Sequence, residues 1–350
     1  MTSTSLTLRC IGRRADTHDV VSWQFAPVAG SLPPVLAGQC VTLHTEIDGQ
    51  PMCRAYTLSS SPQDACWQVT IKDVGLVSHH LHQSLQVGDE IRVDGPFGDF
   101  NLTALPCERP LLLSAGSGIT PMWAMLRDEL AKRPEADIRF IHSARSPADV
   151  IFADDLAALA ESHHGVRYAL VLEKVLEEAP TAYPWVGRLS PDMLRELAPD
   201  LHSRHVYLCG PAPYMAAVSS MLAELGLPAE QLHQESFGLP AVTSGAAPVA
   251  AASDHFWLTL KKSGKKVKIL PGQTLLAALE GAGETMMAAC RAGVCGACRC
   301  STTGEIERQS VMTLSAQDLE SGVVLACSCT ARGMSASTID GFIGISSFSR

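Results

Sequence analysis

No apolar run in the 350-residue sequence reaches the length that crosses a bilayer, which excludes an α-helical membrane span. The opening residues, Met1-Thr-Ser-Thr-Ser-Leu6, have neither a basic n-region nor an apolar h-region, so a cytoplasmic location is expected. Basic residues are few: 27 Lys and Arg stand against 36 Asp and Glu, and a net charge of −9 gives no electrostatic footprint for nucleic acid. No internal repeat, no Ser/His/Asp arrangement and no paired carboxylates stand out, so a repeat array and a hydrolase lack support. His79, His80 and His82 do not read as a metal site, because adjacent helical residues point apart. His163 and His164 read as a helix end. What is left is an ordinary globular composition, 46% hydrophobic and 18% charged, long enough for two or three domains.

Cysteine is present in quantity, twelve residues, and half of them lie beyond residue 254. Cys10, Cys40, Cys53, Cys66, Cys107 and Cys209 are scattered among apolar neighbours, as free thiols in a reducing compartment are. Cys290, Cys295, Cys298 and Cys327 have the spacing C-x4-C-x2-C…C, by which plant-type ferredoxins hold a [2Fe–2S] cluster. Small residues in Cys290-Arg-Ala-Gly-Val-Cys295-Gly-Ala-Cys298 let backbone N–H groups approach bridging sulfides. Zinc sites repeat similar C-x2-C knuckles, and disulfide frameworks suit small secreted domains, so neither fits as well. Val324-Leu-Ala-Cys327-Ser-Cys329 offers two thiols for the fourth position. Cys327 is favoured because it ends an apolar strand-like run, which resembles the Leu-Ala-Cys signature of ferredoxins. Cys329 remains the alternative.

Residues 238–253 carry no charge and two prolines, and 238–254 reads as a tether. Before it, residues 1–105 show short alternating segments (Leu6–Ile11, Val20–Phe25, Cys40–Ile47, Arg54–Ser59, Trp67–Lys72, Glu90–Val93) that predict an antiparallel β-barrel. Residues 106–237 change to strand-then-helix: 110–114 before 121–133, 138–143 before 147–162, 166–172, and 205–209 before 213–225. That rhythm predicts a doubly wound α/β domain. Residues 255–350 contain a lysine-rich hairpin with Ser263-Gly264 at its turn, a helix at 274–281 and the cysteine loop, which fit a β-grasp ferredoxin domain. This last module carries +3, against −12 for residues 1–254, so it lacks the acidity by which many ferredoxins dock.

Gly116-Ser-Gly118-Ile-Thr120-Pro121 leaves a strand and opens a helix, an arrangement that presents backbone donors to a phosphate. Cys209-Gly210-Pro211 ends a later strand and belongs to the same sheet edge. Arg54-Ala55-Tyr56-Thr57 sets a cation, an aromatic ring and a hydroxyl along one strand. Val74-Gly75-Leu76-Val77-Ser78 reads as a helix start with donors for a second phosphate.

In this order, Arg54-x-Tyr56-Thr57, Gly75-x-x-Ser78, Gly116-x-Gly118-x-x-Pro121 and Cys209-Gly210-Pro211 resemble the ferredoxin–NADP⁺ reductase superfamily. With the C-terminal ferredoxin, the chain is similar to reductase components of oxygenase systems, such as phenylacetyl-CoA epoxygenase and glycine-betaine or stachydrine demethylases, and to the NADH oxidoreductase serving the hybrid cluster protein. The resemblance implies FAD, a [2Fe–2S] cluster and NADH or NADPH as cofactors. It places Arg54 on a flavin phosphate, Tyr56 against the isoalloxazine, Thr57 near N5, and Gly75, Leu76, Val77 and Ser78 on the pyrophosphate, with Ala55 also in the flavin-binding set. It places Gly116, Gly118, Thr120, Pro121, Cys209, Gly210 and Pro211 around the nicotinamide dinucleotide, with Cys209 near C4. Glu235 and Phe237 would close over the flavin, and Thr57, Cys209 and Glu235 would be the catalytic groups. Ser143-Ala-Arg145-Ser146 offers a cation and hydroxyls to a 2′-phosphate, so both nucleotides remain open. The implied partner is a protein electron acceptor, an oxygenase component or the hybrid cluster protein. A redox sensor that signals through a binding partner is the reading from a different class.

Overall fold

The computed structural model describes residues 4–174, 184–237 and 256–340, excepting 262, 285, 287, 289–292, 294–297, 310–313, 315 and 332–336. The expected tether at 238–254 and the expected ligands Cys290 and Cys295 lie outside the described residues. The chain divides into two units: the first is made of residues 1–52 and 56–237, and residues 238–350 make up nearly all of the second.

The first unit begins with strands β1 (Thr4–Thr17), β2 (Val20–Pro27), β3 (Cys40–Ile47), β4 (Gln50–Thr57), β5 (Trp67–Lys72) and β6 (Glu90–Phe97). They hydrogen-bond in the order β4-β3-β6-β1-β2-β5, and a Leu58–Val69 bridge joins the two ends into an antiparallel barrel. Alternation along the strands turns Leu8, Cys10, Trp23, Phe25, Val69, Ile71 and Val93 into one buried core. Helix α1 (Leu76–Ser84) adds Val77 and Leu81 to that core. His82 on this helix meets the Ile71 carbonyl oxygen at 2.9 Å and lies edge-on to Trp23, while His79 meets Asp73 at 3.0 Å.

Six parallel strands follow: β7 (Pro110–Ala115), β8 (Ile138–Ala144), β9 (Val166–Leu172), β10 (Trp185–Val186), β11 (His205–Cys209) and β12 (Leu232–Glu235). Their order, β10-β9-β8-β7-β11-β12, reverses direction between β7 and β11. Every residue of β7 is buried, as the centre of a sheet covered on both faces requires. Helices α2 (Ile119–Lys132) and α3 (Ala153–Ser162) share a core with Leu112, Phe140 and Tyr207. Helices α4 (Pro191–Leu197) and α5 (Ala212–Glu224) cover Leu111, Leu113, Val206 and Leu208 on the opposite face. Barrel residues Val20, Ala37 and Phe100 belong to the same cluster as α2, so the two expected modules form one unit.

The second unit is a β-grasp fold with a mixed sheet of order β14-β13-β19-β15-β17. Its strands are β13 (Phe256–Leu260), β14 (Lys266–Ile269), β15 (Arg299–Thr302), β17 (Val323–Leu325) and β19 (Ser337–Asp340), with a two-stranded β16 (Ile306–Arg308) and β18 (Cys329–Ala331) beside it. Helix α6 (Leu275–Gly281) starts where the Thr274 hydroxyl accepts from Ala277 N at 3.2 Å, and it buries Leu275, Leu276 and Leu279. The lysine-rich turn closes with Gly264 at φ 68°, its N–H donating to Leu260 O at 2.7 Å.

Candidate functional site

The order of strand addition in the parallel sheet reverses between β7 and β11, and in such sheets ligands bind beyond the carboxyl ends of the two strands at that point. Gly116 leaves β7 at φ +52°, a left-handed conformation, and no atom lies within 4 Å of where its Cβ would be. Gly118 faces the opposite constraint: its Cβ would sit 2.3 Å from Cys209 O and 2.6 Å from Gly210 N. The two motifs that the sequence placed on one edge therefore touch, and they touch through backbone. Gly210 is equally tight, since a Cβ there would come within 2.8 Å of Tyr214. Neither α2 nor α5 has a side-chain cap, but the Ile119 N–H already donates to Gly116 O and Ser117 O and Pro121 and Pro213 have no N–H, so an anion here could draw only on the other first-turn N–H groups. Thr120 is buried and donates to Ser117 O at 3.0 Å, which fixes the first turn that also contains Pro121.

Strand register adds what the motifs did not show. His142, Ser114, Cys209 and Glu235 are successive Cα partners across β8, β7, β11 and β12, and all four are buried. Burial first, and then the Glu235 charge, push the Cys209 thiol well above its ordinary value, so it stays protonated at neutral pH. Phe237, two residues past β12, is exposed. Arg145, just beyond β8, is exposed, and Ser146 donates to Asp149 at 2.5 Å.

His142 Nδ1 lies 2.8 Å from Ser114 Oγ, and burial drives its pKa from 6.5 down to about 3. The folded chain thus keeps this imidazole neutral, whereas the unfolded chain binds a proton below about pH 6.5. Its contribution is full above that value and is lost as pH falls from about 6.5 towards 3. Acidification from pH 6.5 to 5 is expected to cost roughly 2 kcal/mol through this group. Urea unfolding at the two pH values should show a His142→Gln variant losing that much less; an identical pH dependence would contradict the linkage.

The barrel end of the site is built on β4 and the entrance to α1. Arg54, Ala55, Tyr56 and Thr57 occupy the last four positions of β4. The Thr57 hydroxyl is buried and has no hydrogen-bond partner among the described residues, a donor left for a bound group. Tyr56 packs against the barrel core. At α1, Ser78 Oγ accepts from Val74 N at 3.1 Å and Gly75 N at 2.9 Å, so the hydroxyl shapes the turn. Gly75 has nothing within 4 Å of a Cβ position, which leaves space for a phosphate beside the first-turn amides, including those of Leu76 and Val77.

In the second unit, the described part of the cysteine loop converges on Cys327. Gly293 N donates to Cys327 Sγ at 3.2 Å, and Cys327 N donates to Cys298 Sγ at 3.4 Å. Amide donors aimed at sulfur are what thiolate ligands of an iron–sulfur cluster require, so these residues fit the group. Cys300 and Cys329 are fully buried in the hydrophobic core of the unit. Among the described residues no helix is long and apolar enough to cross a membrane.

Comparison with known proteins agrees with this arrangement. Residues 17–102 match the oxidoreductase FAD-binding domain family, 112–220 the oxidoreductase NAD-binding domain family, and 258–332 the 2Fe-2S iron–sulfur cluster binding domain family. The chain is 35% identical over 342 residues to the glycine betaine monooxygenase reductase subunit of Pseudomonas aeruginosa, covering 93% of each. It is 34% identical over 322 residues to the NADH oxidoreductase HCR of Escherichia coli, covering 91% of this chain and 92% of the other. Phthalate dioxygenase reductase shares the fold, with a TM-score of 0.61 at 22% identity over 96% of this chain and 98% of that one. The chain belongs to the ferredoxin–NADP⁺ reductase superfamily and is an NAD(P)H oxidoreductase that joins FAD, NAD and [2Fe–2S] modules in one polypeptide.

Proposed function

We propose that the polar row at the sheet edge receives the nicotinamide, that β4 and the start of α1 hold FAD, and that Cys290, Cys295, Cys298 and Cys327 hold the cluster. Together these make a relay from NAD(P)H to a protein acceptor. Bound there, FAD supplies a centre that accepts two electrons and releases them singly, and the cluster carries single electrons onward. The observation that carries the assignment is the backbone contact of Gly118 with Cys209, which puts the start of α2 and a buried neutral thiol at one point.

Each residue then has a task. Thr57 gives its unused hydroxyl to flavin N5, and Arg54 neutralises a flavin phosphate. Tyr56 and Ala55 lie along the ring system, and Gly75 to Ser78 hold the pyrophosphate. Gly116, Gly118, Thr120 and Pro121, with Gly210 and Pro211, cradle the dinucleotide. Cys209 presents an uncharged, water-excluding surface to the nicotinamide, Glu235 sets the charge beside it, and Phe237 covers the flavin. The corresponding domains are 1–105, 106–237 and 255–350, in a protein of the cytoplasm, where its buried thiols stay reduced.

For the fourth ligand, the geometry supports Cys327, whose sulfur already accepts the Gly293 amide. Cys327→Ser is expected to lose the cluster's iron and its EPR signal while keeping flavin, and Cys329→Ser is expected to keep all three. The reverse pattern would move the ligand. We take the acceptor to be the oxygenase component of a Rieske-type monooxygenase, as the likeness to the glycine betaine monooxygenase reductase subunit supports. The likeness to HCR makes the hybrid cluster protein the competing acceptor. Turnover with each purified acceptor separates them.

A further inference from the structure

The flavin strand and the nicotinamide loop are each followed, after a few residues, by side chains that meet across the seam between barrel and parallel sheet. Asp64 lies seven residues after Thr57, in the loop between β4 and β5, and Arg127 lies six residues after Pro121, on α2. Arg127 donates from Nη1 and Nη2 to the two carboxylate oxygens of Asp64 at 2.7 and 2.8 Å, a bidentate pair. One position along, Gln63 Nε2 donates to Asp128 Oδ1 at 2.8 Å, and Lys132 holds the other oxygen of Asp128 at 2.6 Å. These bonds form a two-rung ladder with consecutive residues on each side. The guanidinium also lies 5.6 Å above Trp123, which stacks on Phe152 at 5.3 Å, so α2 sets its orientation independently of Asp64.

Close packing does not set the spacing here. A groove of about 420 Å³ opens at this part of the seam, bordered by Arg14, Gln24, Ser60 and Cys66 as well as by the ion pair. Arg14 on β1 also crosses it, donating to Asp155 on α3 at 3.0 Å, and the two rungs are the ties that reach the segment after the flavin strand. An isolated surface ion pair contributes little. This one is bidentate, belongs to a ladder and joins side chains only 32% and 30% exposed.

We propose that Arg127 is a positioning residue for hydride transfer: through Asp64 it registers the segment that follows the flavin strand against the helix that follows the nicotinamide loop. The proposal rests on the assignment of Thr57 and Gly116–Pro121 to the two cofactors. Arg127 touches neither cofactor in this account. Its effect is on distance and alignment, to which transfer between held reactants is steep, a misplacement near 1 Å costing about a hundredfold.

The test uses full-length holoprotein carrying Arg127→Ala, Asp64→Asn, both together, or Arg127→Lys, which keeps the charge without the fork. In hydrogen exchange, amides of residues 58–66 are expected to exchange about tenfold faster in Arg127→Ala, a readout independent of turnover. In stopped flow at saturating NADH or NADPH, flavin reduction should slow by about ten- to a hundredfold at unchanged FAD content. The double variant should be no slower than either single, because one interaction is removed once. Arg127→Lys should fall between. Reduction within twofold of wild type despite faster exchange, additive losses in the double variant, or slowed reduction without faster exchange would each overturn the proposal. A wild-type flavin that neither nucleotide reduces would overturn the reading of the site itself, a result distinct from a normal wild type with unaffected variants.

Discussion

A Gly118→Ala variant is expected to reduce its flavin about a hundredfold more slowly with NAD(P)H than the wild type does, and to lose about 1–3 kcal/mol of stability. The added methyl would stand 2.3 Å from Cys209 O, 2.5 Å from Cys209 C and 2.6 Å from Gly210 N. All three are backbone atoms at the end of β11 and just after it, so no side chain can rotate away. Either α2 or the end of β11 must move, and the proposed nucleotide cradle is made of both. Gly116→Ala is a useful contrast, because it meets no neighbour and carries only the strain of a positive φ. Stopped-flow reduction and calorimetric binding of NAD⁺ separate the two effects. Wild-type rates in Gly118→Ala would show that the cradle lies elsewhere.

The second large effect is expected far from the chemistry, at the amino-terminal edge of the parallel sheet. Arg204 has a fully buried side chain and donates to Asp200 at 2.8 and 2.9 Å and to Asp137 at 2.7 Å. Arg109 bonds to both carboxylates, and Arg139 meets Asp200 at 2.9 Å. Three guanidiniums thus share two carboxylates. Asp200→Ala leaves the buried Arg204 with one carboxylate contested by Arg109, and is expected to cost about 3–5 kcal/mol. Arg204→Met leaves two cations facing two anions and should cost less, roughly 1–3 kcal/mol from lost hydrogen bonds. Chemical unfolding of both variants checks the order. The hydrogen bond from Arg204 holds the Asp200 carboxyl well below its ordinary 3.8. Its contribution is therefore present above about pH 4 and is lost as pH falls through the depressed folded value. Equal losses in the two variants would contradict the charge count.

The two edges of one sheet explain which parts of the site the sequence disclosed. Glycine and proline mark the carboxyl edge because the backbone there must take positive φ or near contact, and such demands are local. Alternation disclosed the barrel for the same reason. Where a partner is distant, the sequence is silent: Asp64 and Arg127 are 63 residues apart, and nothing in either neighbourhood names the other. His142 and Ser114 became part of the site only through strand register, although a histidine inside the apolar run Ile138–Ala144 was a signal. The segment 147–162 reads as one helix because Pro147 starts it and Val150, Ile151 and Phe152 extend an apolar face. In the fold, Phe152 takes φ +59°, buries its ring on Trp123 and begins α3 afresh. Asp48-Gly49, at φ 52° and 72°, is a hairpin turn that starts β4 at Gln50 rather than Arg54. Pro51 in an exposed half-strand hid it. Helix α4 carried a readable Ser190-Pro191 start but has only seven residues.

The relay itself is tested most directly by anaerobic addition of NADH or NADPH to purified full-length protein, followed by absorbance and low-temperature EPR. Loss of flavin absorbance together with the signal of a reduced [2Fe–2S] cluster is the predicted result, with Cys327→Ser showing the first and lacking the second. Protein that contains zinc in place of iron, or a cluster that stays oxidised beside a fully reduced flavin, would contradict it.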